Sequence, residues 1–380
     1  MLNHKNIQVP FLDLKSVNNK IENELTEAIL KVVRSGWYVL GEEVNNFEKE
    51  FAEFTNSKFC VGVGNGMDAL TLTLRAWIAL GKVNKGDDVL VPANTYIASV
   101  LSILDAGLNP ILVDPDPKTW LMTVEGCKKR LSDKTRIIMP VHLYGIPCEM
   151  NLFQIFAKEY NLLILDDCAQ SHGASVLGKP TSNYADASAY SFYPGKNLGA
   201  LGDAGAMVSN DRKLTDTVRK LGNYGSKKKY YNELQGVNSR LDELQASILR
   251  VKLPNLMNEV NLRQKIASQY DSVIDNYPHV YRRPLVSSSF NQVHHIFPLC
   301  INSREKFCQL LNSNGIGTLI HYPVPPHKQE CMLGKTLGDF PEADKLSSRV
   351  VSLPMYPYMP EVHVEKVVGA LKTFAEQNHS

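Results

Sequence analysis

Seven short stretches of the chain are apolar and rich in strand-forming residues: "FCVGVGN" (59–65), "DDVLVPA" (87–93), "NPILVDPD" (109–116), "RIIMPVHLYG" (136–145), "NLLILDDCAQ" (161–170), "ASAYSFYPG" (187–195) and "GAMVSND" (205–211). Apolar runs of this length, with little polar alternation, are what strands covered on both faces look like. Between most of them the apolar residues recur at helical spacing, as in "MDALTLTLRAWIAL" and "YIASVLSILDAG". Strand-helix alternation predicts an α/β domain built on a mainly parallel seven-stranded sheet flanked by helices. Too little chain separates the last two runs for a helical crossover, so one neighbouring pair is expected to be antiparallel.

The pattern changes near residue 250. "NSRLDELQASILRVKLPNLMNEVNLRQKIASQYDSVID" reads as a long helical region that Pro254 kinks or divides, because proline lacks the N–H that a helix interior needs. "HHIFPLCIN", "SREKFCQLLNSNG" and "IGTLIHYPV" come next as strand, helix and strand, and "EVHVEKVVGALKTFAEQ" as a final helix. The expectation is a large α/β domain over 1–250 and a smaller C-terminal α+β domain over 251–380.

Charge and composition narrow the functions available. The 380 residues carry 41 basic and 39 acidic side chains, a net charge of +2, with no basic block or arginine stripe of the kind that neutralises a phosphate backbone. Nucleic acid is therefore not an expected partner. No apolar run approaches a bilayer span, and the opening "MLNHKNIQVPFLDLK" has no export signal, so a cytoplasmic protein with no membrane partner is expected. The seven cysteines form no CxxC pair and read as reduced thiols, and His294-His295, without a cysteine or carboxylate at ligand spacing, reads as a strand edge. No metal site is expected.

Ligands of open parallel sheets gather outside the carboxyl ends of the strands, so the residues just past each run are the candidates for chemistry. In "VGVGNGMDAL", Gly62, Gly64 and Gly66 permit a tight turn, and the helix opening near Met67 aims free N–H groups at an anion. A plain turn remains the ordinary alternative, and a nicotinamide fingerprint would need glycine where Met67 stands. In "LLILDDCAQSHGA", strand alternation sends Asp166 and Asp167 to opposite faces, so one of them faces the site. Both serve equally well as turn or cap residues. The chemical alternative is a carboxylate held against a cationic ring nitrogen, worth roughly 4 kcal/mol at about 4 Å and an effective dielectric near 20. In "SFYPGKNLGALGDAGAMVSND", Lys196 is not the lysine of a Walker A loop, which would need glycine at Tyr190 and a hydroxyl residue at Asn197. Most lysines are merely solvated. An amine on a glycine-flanked turn beside a desolvated pocket is nevertheless what a Schiff base requires. Phosphate seat, ring-nitrogen carboxylate and amine together describe a site for pyridoxal 5'-phosphate.

At this point "VPFLDLK", "SGWYVLGEEVNNFEKEFAEF", "VGNGMDAL", "VPANTYIAS", "LDDCAQSHGA", "SFYPGKNLGALGDAGA", "GVNSRLDELQASILRVKL" and "IHYPVPPH", in that order, make the chain resemble a known family over nearly its whole length. It is the DegT/DnrJ/StrS family of fold type I nucleotide-sugar aminotransferases. The resemblance implies that Lys196 bonds the cofactor and later shuttles a proton, that Asp167 holds the pyridine nitrogen, and that Gln170 lies near the ring's phenolic oxygen. It implies that the backbone at Gly66 and Met67 binds the phosphate together with the Ser191 hydroxyl. Tyr96 would cover the cofactor face, and Asn238 would reach the phosphate from a second subunit, making the active site a property of a homodimer. His321 and Tyr322 resemble residues near the sugar diphosphate, whose charge Lys227, Lys228 and Lys229 would screen. The ordinary alternatives are a core tyrosine at 96, a helix-start asparagine at 238 and a solvated lysine loop. Several relatives carry threonine where Met67 stands, many have Glu-Asp for Asp166-Asp167, and the dehydratases among them have histidine in place of Lys196. The implied reaction moves an amino group from L-glutamate to a dTDP-linked 3-keto-6-deoxyhexose, giving a dTDP-3-amino-3,6-dideoxyhexose for surface polysaccharide or natural-product glycosylation. A 4-keto-sugar aminotransferase and a non-catalytic regulatory relative are the alternatives.

Overall fold

The computed structural model describes residues 7–334 and 338–378. The seven apolar runs form one sheet: β1 (Phe59–Val63), β2 (Asp88–Pro92), β3 (Asn109–Val113), β4 (Thr135–Ile138), β5 (Leu163–Asp167), β6 (Ala187–Ser191) and β7 (Gly205–Ser209), in the spatial order β1-β7-β6-β5-β4-β2-β3. The pairs β2/β3, β2/β4, β4/β5 and β5/β6 are parallel. β7 runs antiparallel to both of its neighbours, β6 and β1. The short β6–β7 connection foretells the first of these pairings. No local signal foretells the second, since its strands lie far apart in sequence. β1 to β6 thus share one carboxyl edge, and β7 begins at that same edge.

The run at 136–145 gives a shorter strand than its composition suggests. Pro140 has no N–H for the ladder, and regular pairing ends at Ile138. The chain nevertheless stays tied to the end of β5, with Asp167 N donating to Pro140 O at 2.8 Å and His142 N to Asp167 O at 3.2 Å.

Helices cover both faces. The helix Gly66–Ala79 comes directly after β1 and buries Leu70, Leu72, Leu74 and Trp77. Its start is capped by Asn65, whose side chain accepts from Asp68 N at 2.8 Å. The helix Glu42–Phe54 is anchored from elsewhere. The Glu243 carboxylate accepts from Gly41 N, Glu43 N and Val44 N at 2.7, 2.9 and 3.0 Å, satisfying donors that the helix itself leaves open.

Toward the C-terminus, Pro254 divides the long helical region into Glu243–Lys252 and Leu256–Ile274, joined by a 3-10 turn over Leu253–Asn255. The strand Phe297–Cys300 forms, but its partner is Val350–Leu353, not "IGTLIHYPV". That segment makes only isolated bridges, Ile316 to Val9 and Leu319 to Ser352. Prolines at 323, 325 and 326 deny it further donors, while Val350–Leu353 is a buried β-branched run that competes better for the one open edge. Tyr270, Phe297, Phe307, Leu353 and Phe374 form a separate apolar cluster here, joined by Val9. Leu256 and Val260 instead pack with Phe47 and Phe51. No helix of the described residues is long and apolar enough to cross a membrane.

Candidate active site

The last two residues of β5 diverge as strand alternation requires. Asp166 is fully buried, and its Oδ2 lies 3.2 Å from His142 Nε2 and 3.1 Å from Cys168 Sγ. Because His142 Nδ1 accepts from Cys148 N at 3.0 Å, the ring hydrogen sits on Nε2 and points at Asp166. His142, Asp166 and Cys168 have ligand atoms within 4.8 Å of one another, yet these hydrogen bonds already engage the imidazole on both nitrogens. Asp167 faces the other way. Its Oδ1 accepts from Ala169 N at 3.0 Å and its Oδ2 from Ser99 Oγ at 2.8 Å. Burial pushes this acid up from the usual carboxylate range, and the Ala169 N–H, the Ser99 hydroxyl and Lys196 oppose the rise.

Lys196 sits on the connection between β6 and β7. A turn bond from Lys196 N to Tyr193 O at 2.8 Å shapes it, and Ala200 N closes back onto Phe192 O at 2.8 Å. Gly199 is obligatory, since a Cβ there would lie 2.3 Å from Pro194 O. Burial lowers the Lys196 amine to about 8, with Asp167 pulling the other way. His172, His295 and His321 gather round it, and burial, then the Lys196 charge, lowers all three, His172 to about 3 and His321 to about 4. They surround the amine as neutral rings.

Gly66 opens the helix beside this turn. A Cβ on it would meet Ser191 Cβ at 2.5 Å, so only glycine lets the helix start and the end of β6 come together. Met67 occupies the helix's first turn, and Ser191 Oγ accepts from Tyr193 N at 3.4 Å while keeping its own hydrogen to donate. Tyr96 is not a core tyrosine: it is 53% exposed, and its ring lies 5.2 Å from that of Tyr322. Gln170 joins the group by accepting from Tyr144 N at 2.5 Å and donating to Tyr322 Oη at 3.0 Å. Tyr144 Oη in turn donates to His321 O at 3.0 Å, and His321 Nδ1 lies 2.9 Å from Ser352 Oγ.

Two of the expected residues stand apart. Asn238 is exposed, and its backbone bridges to Asn223 rather than opening a helix. Its neighbour Ser239 ties the segment to the glycine loop, donating to Asp68 Oδ2 at 2.6 Å and accepting from Gly64 N at 3.0 Å. Lys228 lies on an exposed hairpin, its amine 4.8 Å from the Tyr231 ring. Sequence reasoning missed Ser99, Tyr144, His172 and His295. Ser99 carried a signal, since it stands three residues after Tyr96 and so falls on the same side of a helix start. His295 is no strand edge, because its ring meets Asn197 Oδ1 at 3.2 Å and the strand begins only at Phe297.

A primary amine with lowered proton affinity, a buried carboxylate with two donors, and a glycine-opened helix start against a serine hydroxyl fit pyridoxal 5'-phosphate group by group. The model of the DegT/DnrJ/EryC1/StrS aminotransferase family matches residues 19–372. The chain belongs to that family. Among its relatives, the dTDP-3-amino-3,6-dideoxy-alpha-D-galactopyranose transaminase of Aneurinibacillus thermoaerophilus is 45% identical over 96% of this chain and 99% of its own. The dTDP-3-amino-3,4,6-trideoxy-alpha-D-glucose transaminase of Streptomyces venezuelae is 39% identical over 97% of each chain. The crystal structure of S. venezuelae DesV in complex with a ketimine intermediate superposes with a TM-score of 0.93 at 39% identity, covering 97% of this chain and 98% of that one. As a member of the family the chain is an α/β fold type I aminotransferase that works with pyridoxal 5'-phosphate.

Proposed function

We propose that the chain transfers the amino group of L-glutamate to a dTDP-linked 3-keto-6-deoxyhexose, giving a dTDP-3-amino-3,6-dideoxyhexose for glycan or natural-product assembly. The observation that carries the reading is the Lys196 amine on the glycine-bounded turn past β6, lowered by burial to about 8 and within the electrostatic reach of Asp167. Identity of 45% to a transaminase named for a 3-amino-3,6-dideoxy sugar supports the substrate.

Pyridoxal 5'-phosphate, when bound, supplies an aldehyde for a lysine amine and a ring that withdraws electrons from the carbon being deprotonated. Lys196 would provide that amine and, when free, would accept the proton from the amino donor's Cα. An amine near 8 is partly neutral at physiological pH and still basic enough for that transfer. Asp167 would hold a negative charge at the ring nitrogen. Gln170, oriented by Tyr144 and Tyr322, would serve the phenolic oxygen, and Tyr96 would cover the ring. The N–H groups at Gly66 and Met67, with Ser191, would bind the phosphate at the positive end of the helix.

Asn238 and Lys228 enter the scheme through a homodimer, in which each chain completes its partner's site. Their exposure supports this, as does the exposed run of Trp37, Tyr38, Val39 and Leu40, an apolar patch suited to a second copy. In the partner's site, Lys228 would screen the diphosphate beside His321 and Tyr322. We place the protein in the cytoplasm, with the large domain ending at residue 250 and the small one spanning 251–380. The test is to incubate the purified protein with L-glutamate and dTDP-linked 3-keto and 4-keto-6-deoxyhexoses and read the products by mass spectrometry and NMR. Amination at C3 is expected; amination of the 4-keto sugar alone would overturn the substrate assignment.

A further inference from the structure

We propose that the Ser99 hydroxyl, itself held by Thr95, is a positioning residue that keeps Asp167 ionised and in one orientation for the cofactor's ring nitrogen. The proposal rests on the reading of Asp167 given above. A carboxylate as buried as Asp167, 7% exposed, survives in charged form only if protein donors replace the water it has lost. It has two. The Ala169 N–H on Oδ1 comes from the backbone, which every residue but proline supplies. The hydroxyl on Oδ2, at 2.8 Å, is a side-chain choice made 68 positions earlier in the chain.

The direction of that hydroxyl is set by counting hydrogens. Ser99 Oγ lies 2.9 Å from Thr95 Oγ1 and 2.8 Å from Asp167 Oδ2, and both hydroxyl residues are 1% exposed, so water does not compete. An ionised carboxylate only accepts. Ser99 therefore gives its hydrogen to Asp167, and Thr95 gives its own to Ser99, a one-way relay in which each bond strengthens the next. A protonated Asp167 donating to Ser99 Oγ would bring a third hydrogen to two hydroxyl oxygens, leaving the hydrogen of either Ser99 or Thr95 with no acceptor among the hydrogen bonds of the described residues. The relay thus favours the charged acid. Its origin is the start of one helix, Ile97–Asp105, which Tyr96 precedes as the N-cap residue. The same turn that presents the Tyr96 ring to the site sends Ser99 to the carboxylate, in the first turn, where the helix field also favours negative charge.

The test uses holoenzyme reconstituted with pyridoxal 5'-phosphate carrying 15N in the ring, whose 15N chemical shift reports directly whether that nitrogen is protonated. Ser99→Ala is expected to loosen the ring proton about tenfold, seen as its loss at a pH about one unit lower than in the wild type, the size expected for one charge-assisted hydrogen bond. Ser99→Thr restores the hydroxyl and is expected to return the titration to within about 0.3 of a unit, a difference typical of a retained bond. If Ser99→Ala binds the cofactor but titrates as the wild type does, the proposal fails. Should Ser99→Ala not hold the cofactor, Thr95→Val supplies the same comparison with the direct donor intact: a smaller displacement in the same direction supports the relay, and none overturns it. Asp167→Asn separates the two layers. If it too leaves the 15N titration unmoved, the assignment of Asp167 to the ring nitrogen falls; if it moves the titration and the Ser99 variant does not, only the relay falls.

Discussion

The lowered amine of Lys196 makes the cofactor-free protein's stability depend on pH in a way that one substitution can isolate. In the unfolded chain this lysine keeps its proton to about pH 10.5, whereas in the folded protein it releases the proton near 8. Between those values the unfolded state binds more protons, so folding stability rises with pH across the window. Below about 8 the full penalty of a desolvated ammonium is present; above about 10.5 it is gone. The fall from 10.5 to about 8 corresponds, at about 1.4 kcal/mol for each tenfold step, to about 3 kcal/mol. That figure is an upper limit, because part of the side chain still reaches solvent. Lys196→Met keeps the stem and removes the charge. Lys252, also lowered to about 8 by burial, is present in both proteins and drops out of the difference. Urea unfolding of the two cofactor-free proteins between pH 7 and 10.5 should show the wild type gaining up to about 3 kcal/mol on the variant as pH rises. A flat difference across that range, or a wild type that loses ground, would refute the claim that the Lys196 amine is desolvated.

Gly66→Ala places a methyl 2.5 Å from Ser191 Cβ; the helix start must retreat, and a loss of about 1–3 kcal/mol in stability is expected together with weaker cofactor binding in equilibrium dialysis. Unchanged binding would show that the phosphate does not sit there. Glu243→Ala strips the acceptor from Gly41 N, Glu43 N and Val44 N and should lower unfolding free energy by about 2–3 kcal/mol, read as a lower urea midpoint with the slope unaltered. Asp167→Asn should reduce turnover by at least about 100-fold with the folded circular dichroism spectrum intact. Tyr322→Phe, which takes away the acceptor of Gln170 Nε2, should weaken the hold on that amide by about 1 kcal/mol and slow turnover by less than the Asp167 change does.

The sheet was legible because its strands are covered on both sides, which leaves runs too apolar to be anything else of that length. The same logic misassigned "IGTLIHYPV", where apolar residues line the margin of a two-stranded sheet and join it through a single bridge, Leu319 to Ser352. Which of two candidate runs pairs with Phe297–Cys300 depends on competition for one edge, and that is a tertiary matter. In the site, Lys196, Asp167 and the glycine loop stood out because each sits just past a strand end and each combines a chemical group with special backbone needs. Tyr144 and His295 had no such mark, and Ser99 had only its spacing from Tyr96. A serine three residues into a helix and a histidine before a strand are ordinary locally, and they acquire meaning only when β5 and the β6–β7 connection are brought against them. Strand alternation did separate Asp166 from Asp167, but the choice of which one faces the site came from the family resemblance.

Because β7 returns antiparallel beside β6, the segment that carries Lys196 leaves and re-enters the sheet at the same edge, through the paired residues Ser191 and Gly205. The ladder beneath it fixes only where the segment begins and ends. Its course between those points is set by Phe192, Leu198 and Ala200, which are buried with Phe47 and Phe51, so the reactive amine is borne by a piece of the core and not by a free loop. A change of chemistry at that tip must therefore keep those apolar anchors as well as the two paired ends.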